Sequence, residues 1–90
     1  MSLYRVNPRR DISEPQIVET LQKAGASVHR VSGKGIPDLL IGYRGKTYLA
    51  ECKTGNRKLN KNQEAFFETW KGSEPMIFRS VYDVIEWLKC

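Results

Sequence analysis

The sequence has two cysteines and one histidine in 90 residues. Cys52 and Cys90 form neither a disulfide framework nor the spacing of a zinc site. His29 alone cannot complete a zinc cluster or a histidine-containing metal triad with them, and it reads as a strand residue. No apolar run approaches the ~20 residues of a membrane helix, so no membrane association is expected. Arginines occur near the N-terminus, but no apolar segment follows them. A secretory signal is therefore not expected, and the protein should stay in the cytoplasm. The phosphate-binding pattern G-x-x-x-x-G-K-[ST] is absent, because neither Gly33-Lys34-Gly35 nor Gly45-Lys46-Thr47 has its spacing. There is no internal repeat, low-complexity segment, helix-turn-helix or zinc finger.

What is present is a modest apolar fraction, 40%, and an excess of base, with fifteen Lys and Arg against ten Asp and Glu. That composition suits one soluble domain with a small core, for which oligomerisation is a fair expectation. The net charge of +5 suits an anionic partner, nucleic acid first.

The chain is organised around Gly35–Lys53, GIPDLLIGYRGKTYLAECK. It reads as a strand Asp38–Tyr43, a tight turn at Arg44-Gly45 and a strand Lys46–Lys53. With a two-residue loop, Tyr43 faces Lys46, Leu39 faces Ala50 and Asp38 faces Glu51. Arg is not a favoured residue in such a turn, and a three-residue loop would shift the pairing by one. Side chains alternate along a strand and opposed residues share a face, so Asp38, Glu51 and Lys53 point to one side. Two opposed carboxylates repel, and a divalent cation between them would remove the repulsion. Mg²⁺ takes hard oxygen ligands, often only one or two carboxylates with water and phosphate filling the rest. Lys53 sets a positive charge beside that site, suited to a phosphate oxygen or an attacking water. Cys52 alternates with these residues and is expected in the core.

Residues 1–12 carry Arg5, Arg9 and Arg10 without periodicity and read as a flexible basic arm. The arm either touches a phosphate backbone or only solubilises the chain. Residues 13–90 form the single domain. Ser13 and Gln16 make a capping-box pattern for a first helix with Pro15 in its first turn. The apolar stripe of that helix is Ile17, Val18, Leu21 and Ala24, and Gly25 ends it. Glu14 falls on the stripe's face. It either favours the helix dipole or leans toward the carboxylates. Ser27–Ser32 reads as a short strand. Lys34 lies in the flexible loop that follows. Arg57, Lys58 and Lys61 lie in a basic connection after Lys53 and are, with Lys34, candidate phosphate contacts. Asn60 and Gln63 form a capping box for a second helix, with Phe66, Phe67 and Trp70 as its packing stripe. Gln63 shares that face and either closes the cap or reaches the site. Met76–Arg79 is a last strand. Ser80 caps a third helix whose buried stripe is Val81, Val84, Ile85 and Leu88. The expected class is α/β, in the order αβββαβα. Its mixed sheet has an antiparallel hairpin at its heart and a last strand parallel to Lys46–Lys53.

Pro37-Asp38 followed by Glu51-Cys52-Lys53 resembles the PD-(D/E)XK nuclease signature. Gly35-Ile36-Pro37-Asp38 at the start of a strand, a Glu early in the preceding helix and a Gln in the following helix resemble the VRR-Nuc branch. That branch includes small stand-alone phage and bacterial proteins, and the resemblance runs from about Glu14 to Leu88. It implies a PD-(D/E)XK core and a metal-dependent DNA endonuclease in the cytoplasm of a bacterial or phage-infected cell. Asp38, Glu51, Lys53, Glu14 and Gln63 would be its catalytic set. Mg²⁺, replaceable by Mn²⁺, would be held by Asp38, Glu51, the backbone carbonyl of Cys52 and Glu14, the last directly or through water. The expected substrate is branched DNA, a Holliday junction or a flap, cut by a homodimer with two sites for two strands. The alternative is a catalytically inactive DNA-binding protein that keeps the fold.

Overall fold

The computed structural model describes residues 10–90. Most of the sequence-predicted arm, residues 1–9, lies outside the described residues. The order is α1 (Glu14–Lys23), β1 (Ser27–Arg30), β2 (Leu39–Tyr43), β3 (Lys46–Cys52), α2 (Lys61–Thr69), β4 (Met76–Phe78) and α3 (Val81–Leu88). The four strands form one mixed sheet in the order β1-β2-β3-β4. β1–β2 and β2–β3 are antiparallel and β3–β4 is parallel.

The hairpin register is the one expected from a two-residue loop. Tyr43 pairs with Lys46 and Leu39 with Ala50. Both loop residues have positive φ, 53° at Arg44 and 79° at Gly45, as a type I′ turn requires. The Arg44 guanidinium lies 5.0 Å from the centre of the Tyr43 ring. That cation–π contact holds a residue the turn does not otherwise favour.

The pleat sends Leu39, Ile41, Ala50 and Cys52 to one face of the sheet. There they are buried with Ile17, Val18 and Leu21 of α1, Phe78 of β4 and Val84 of α3. Cys52 is 1% exposed, in the core where alternation put it. Trp87 closes this core at the hairpin end, with its ring 5.5 Å from Tyr43, 5.0 Å from Tyr48 and 5.8 Å from Phe78.

Three expectations about helices need correction. Ser13 makes no side-chain cap to α1. Its hydroxyl instead donates to Asp11 Oδ1 at 2.6 Å, so the acid two residues upstream organises the helix start. Ser80 likewise makes no side-chain cap. Asp83 reaches back to the Arg79 backbone N–H at 2.8 Å. In α3 the inward row is Val81, Val84, Trp87 and Leu88, and Ile85 is 43% exposed. Trp87 lies on the opposite side of the helix from Ile85, so the buried face is rotated toward Trp87 and Ile85 turns out to solvent.

The second helix also departs from expectation, since none of its residues is buried. Phe66 and Trp70 stack on each other with ring centres 5.1 Å apart, and Trp70 remains 45% exposed. Phe66 and Phe67 are half-buried, and Gln63 adds a polar tie to the sheet. Among the described residues, no helix is long and apolar enough to cross a membrane.

Candidate functional site

The ladder between β2 and β3 stops at Leu39 and Ala50. One residue further, Asp38 lies just outside β2. Its Oδ2 accepts from the Cys52 backbone N–H at 2.9 Å, so a carboxylate replaces a strand partner where the two chains part. The Asp38 backbone carbonyl accepts from Val31 N at 2.9 Å, which fixes its main chain against the continuation of β1. Pro37 before it is fully buried. The side chain is thus pinned at the mouth of a split between two strands, where a strand end offers polar groups without a partner.

Glu51 enters from β3 and is 3% exposed. One oxygen, Oε2, accepts from Gln63 Nε2 at 2.9 Å and lies 4.0 Å from Lys53 Nζ. The other, Oε1, is buried without a hydrogen-bond partner. Burial and then the neighbouring Asp38 charge push the Glu51 carboxyl up to about 8, against a smaller opposing effect of Lys53. A carboxylate in this position is electrostatically uncomfortable. A cation would relieve it.

Gln63 performs both roles that its sequence position allowed. Its Oε1 accepts from Asn60 N at 2.8 Å and Asn60 Oδ1 accepts from Gln63 N at 2.9 Å, completing the capping box. Its Nε2 is then left to meet Glu51. Lys53 is 8% exposed, an unusual position for a lysine without a paired role.

Glu14 is 2% exposed, so a simple solvent-side partnership with the helix dipole does not describe it. It comes from the core side of the sheet. Arg10 Nε spans its two oxygens at 3.1 and 2.9 Å, and Arg30 Nε reaches Oε2 at 2.7 Å. Glu14, Asp38 and Cys52 each place one ligand-type atom within 4.8 Å of the others. The Cys52 atom in that group is Sγ, whereas the residue's expected ligand was its carbonyl. Burial, followed by the charge of Asp38, pushes the thiol well above its ordinary range, so it stays protonated. A neutral buried thiol is a packing group, not a strong metal ligand.

Two residues that composition and periodicity left in the arm belong to this site. Arg10 is one. Asp11 is the other, 6% exposed. Its carboxylate accepts from Ser13 N at 2.9 Å, Thr54 N at 2.8 Å and Arg57 Nη1 at 3.2 Å, and also from the hydroxyls of Ser13 and Thr54. These hydrogen bonds hold its carboxyl well below the usual range, against the opposing effect of burial. The i,i+4 spacing of Arg10 and Glu14 is the one sequence signal that could have flagged the first of them.

Of the expected phosphate contacts, Arg57 faces a depression it shares with Arg10, Ile12, Lys53, Thr54, Asn60 and Gln63. Lys34, Lys58 and Lys61 are exposed. Arg79 Nη1 donates to the carbonyls of Gly55 and Arg57 at 2.8 and 2.7 Å, which shapes the loop that carries Arg57. Comparison with protein-family models, curated proteins and solved structures gave no match.

Proposed function

We propose that the chain is a divalent-metal-dependent DNA endonuclease with a PD-(D/E)XK core of the VRR-Nuc kind. One observation carries the reading. Asp38, Glu51, Lys53 and Gln63 converge where β2 and β3 part, and Glu51 holds a buried oxygen with no partner. That orphan oxygen and the raised pKa of Glu51 fit a hard cation held by carboxylates. Asp38 and Glu51 would hold Mg²⁺ or Mn²⁺, with the Cys52 carbonyl as a further donor by resemblance and Glu14 reaching it through water. When bound, the ion supplies charge neutralisation at the phosphate and acidifies a water.

The residues around it divide the remaining work. Lys53 places its ammonium beside Glu51, where it orients the attacking water or steadies the charge that develops on the phosphate oxygens. Gln63 fixes the Glu51 carboxylate through Nε2, so that Oε1 is the oxygen presented. Lys34, Arg57, Lys58 and Lys61 contact the phosphate backbone, which positions DNA without reading its sequence. Structured DNA, a Holliday junction or a flap, is therefore the proposed substrate, cut by a homodimer whose two sites address two strands.

A second reading is a DNA-binding protein without catalysis. It is favoured by the way Arg10 and Arg30 already neutralise Glu14. A cleavage assay in Mg²⁺ or Mn²⁺ on four-way junction, flap and linear duplex DNA separates the two. Metal-dependent nicking that Asp38→Ala and Lys53→Ala abolish, with DNA binding retained, supports the nuclease. Binding without cleavage in either metal supports the inactive binder. Light scattering that finds a monomer both free and on junction DNA rejects the dimer.

A further inference from the structure

We propose that Arg10 is the resident cation of the acidic cluster, and that a divalent ion binds this chain only by displacing the Arg10 guanidinium from Glu14 and Asp38. The inference rests on the metal-dependent reading above and adds to it a residue that sets metal affinity.

The geometry is that of a built-in counter-ion. Arg10 Nε sits across both oxygens of Glu14. Its Nη2 donates to the Asp38 carbonyl at 3.1 Å and lies 4.0 Å from Asp38 Oδ1. One planar cation thus bridges the two carboxylate residues that approach each other across the core edge of the sheet. A guanidinium suits this task because its donors form a rigid fork that stays charged.

Arg10 does not reach this position as a loose chain end. The next residue is Asp11, buried and tied to Thr54 and Arg57 in the loop that follows Lys53. Asp11 is the anchor and Arg10 the group it presents. The segment therefore straps the start of α1 to the far side of the site.

The coverage is incomplete, and that is the second observation. Arg10 serves Glu14 and Asp38, while Glu51 Oε1 stays without a partner. A metal ion ligated by both Asp38 and Glu51 would meet that unmet oxygen. It would also share Asp38 with the guanidinium, and two cations on one carboxylate weaken each other's hold. Arg10 and the metal therefore compete. The measured affinity is the intrinsic affinity reduced by the fraction of molecules in which Arg10 has moved away.

Titration calorimetry with MnCl₂ alone, without DNA, tests this on the full chain, its Arg10→Ala variant and its Arg10→Lys variant. Melting curves in EDTA and in excess Mn²⁺ accompany it. Arg10→Ala is expected to bind Mn²⁺ about tenfold more tightly than the native chain. Arg10→Lys, which keeps the charge and loses the fork, is expected to fall between. In EDTA Arg10→Ala is expected to melt lower than the native chain, and Mn²⁺ should close that gap. Unchanged or weaker binding by Arg10→Ala, with native binding intact, overturns the competition and leaves the nuclease reading standing. Absence of Mn²⁺ binding by all three chains overturns both. If Arg10→Ala does not fold in EDTA, the lysine variant decides. Tighter binding than native supports displacement and equal binding overturns it.

Discussion

Gln63 Nε2 donates to Glu51 Oε2 at 2.9 Å while Gln63 Oε1 accepts from the Asn60 backbone. One amide therefore joins the start of α2 to the buried acid of β3, and its two ends cannot be exchanged without breaking both bonds. This contact matters because α2 buries none of its residues. Its placement depends on this polar tie as well as on the half-buried Phe66 and Phe67.

Gln63→Ala should therefore cost more than an ordinary surface change. The lost half of the capping box contributes about 1 kcal/mol, and a second loss comes from a buried carboxylate oxygen left without its donor. The expected total is about 2 kcal/mol in urea denaturation. Gln63→Glu keeps the acceptor for Asn60 but sets a second carboxylate against Glu51. In metal-free buffer at pH 9, where Glu51 is ionised, it should be less stable than Gln63→Ala, and Mg²⁺ should reverse that order.

The raised pKa of Glu51 has a direct consequence for stability. The unfolded chain releases the Glu51 proton near the ordinary value of 4.5, and the folded chain holds it until about pH 8. Between those values the folded state binds more protons, so stability falls as pH rises from about 4.5 to about 8 and levels off above. Asp11 acts in the opposite sense. Its lowered pKa contributes stability above about pH 3.8 that is lost as pH falls further. Metal-free urea melts across this range should show a maximum near mildly acidic pH. Glu51→Gln should flatten the alkaline side, and saturating Mn²⁺ should do the same to the native chain.

Asp11→Ala removes the acceptor for Thr54 N, Ser13 N and Arg57 at once. Losing several hydrogen bonds to one buried, charged acceptor should cost about 2 kcal/mol, since the donors left over are half-buried or exposed. Asp11→Asn keeps one acceptor oxygen and should lose less. Both are read from urea midpoints at pH 6, where Asp11 is ionised.

The hairpin was legible because its information is local. A two-residue loop at Arg44-Gly45 gives the register that the structure shows, and with it the period-two geometry of strands puts Asp38, Glu51 and Lys53 on one face. Gln63 was legible as a capping residue for the same reason. The α3 face was misjudged at Ile85 because periodicity does not show that the Trp87 ring packs on Tyr43, Tyr48 and Phe78 and rotates the buried face away from Ile85. The packing of α2 was overestimated because Phe66 and Trp70 satisfy each other. Arg10 and Asp11 were hidden for a different reason. Their partners, Glu14, Asp38, Thr54 and Arg57, belong to three separate segments. Apart from the i,i+4 spacing of Arg10 and Glu14, no periodic signal connects an irregular segment to partners so far along the chain.

Gly35 lies in the loop that delivers Asp38 and is the place where that loop meets α2. Its φ is +78°, and a Cβ there would come within 2.4 Å of the Asn62 carbonyl oxygen and 2.7 Å of its carbon. Those atoms are backbone in the first turn of α2, held by the Asn60–Gln63 cap, so they cannot rotate aside. Gly35→Ala must push the loop and the helix apart, in addition to straining the left-handed backbone by about 1 kcal/mol. Separation would carry Gln63 away from Glu51 and loosen Asp38. The expected result is a loss of at least about 2 kcal/mol in stability, weaker Mn²⁺ binding and cleavage lowered with it. Gly33→Ala is the control, because its added Cβ meets only the flexible Ile36 side chain. It should lower the melting temperature far less and leave Mn²⁺ affinity within about twofold of native. Equal effects of the two substitutions would show that loop flexibility, and not the Gly35–Asn62 contact, holds the site together.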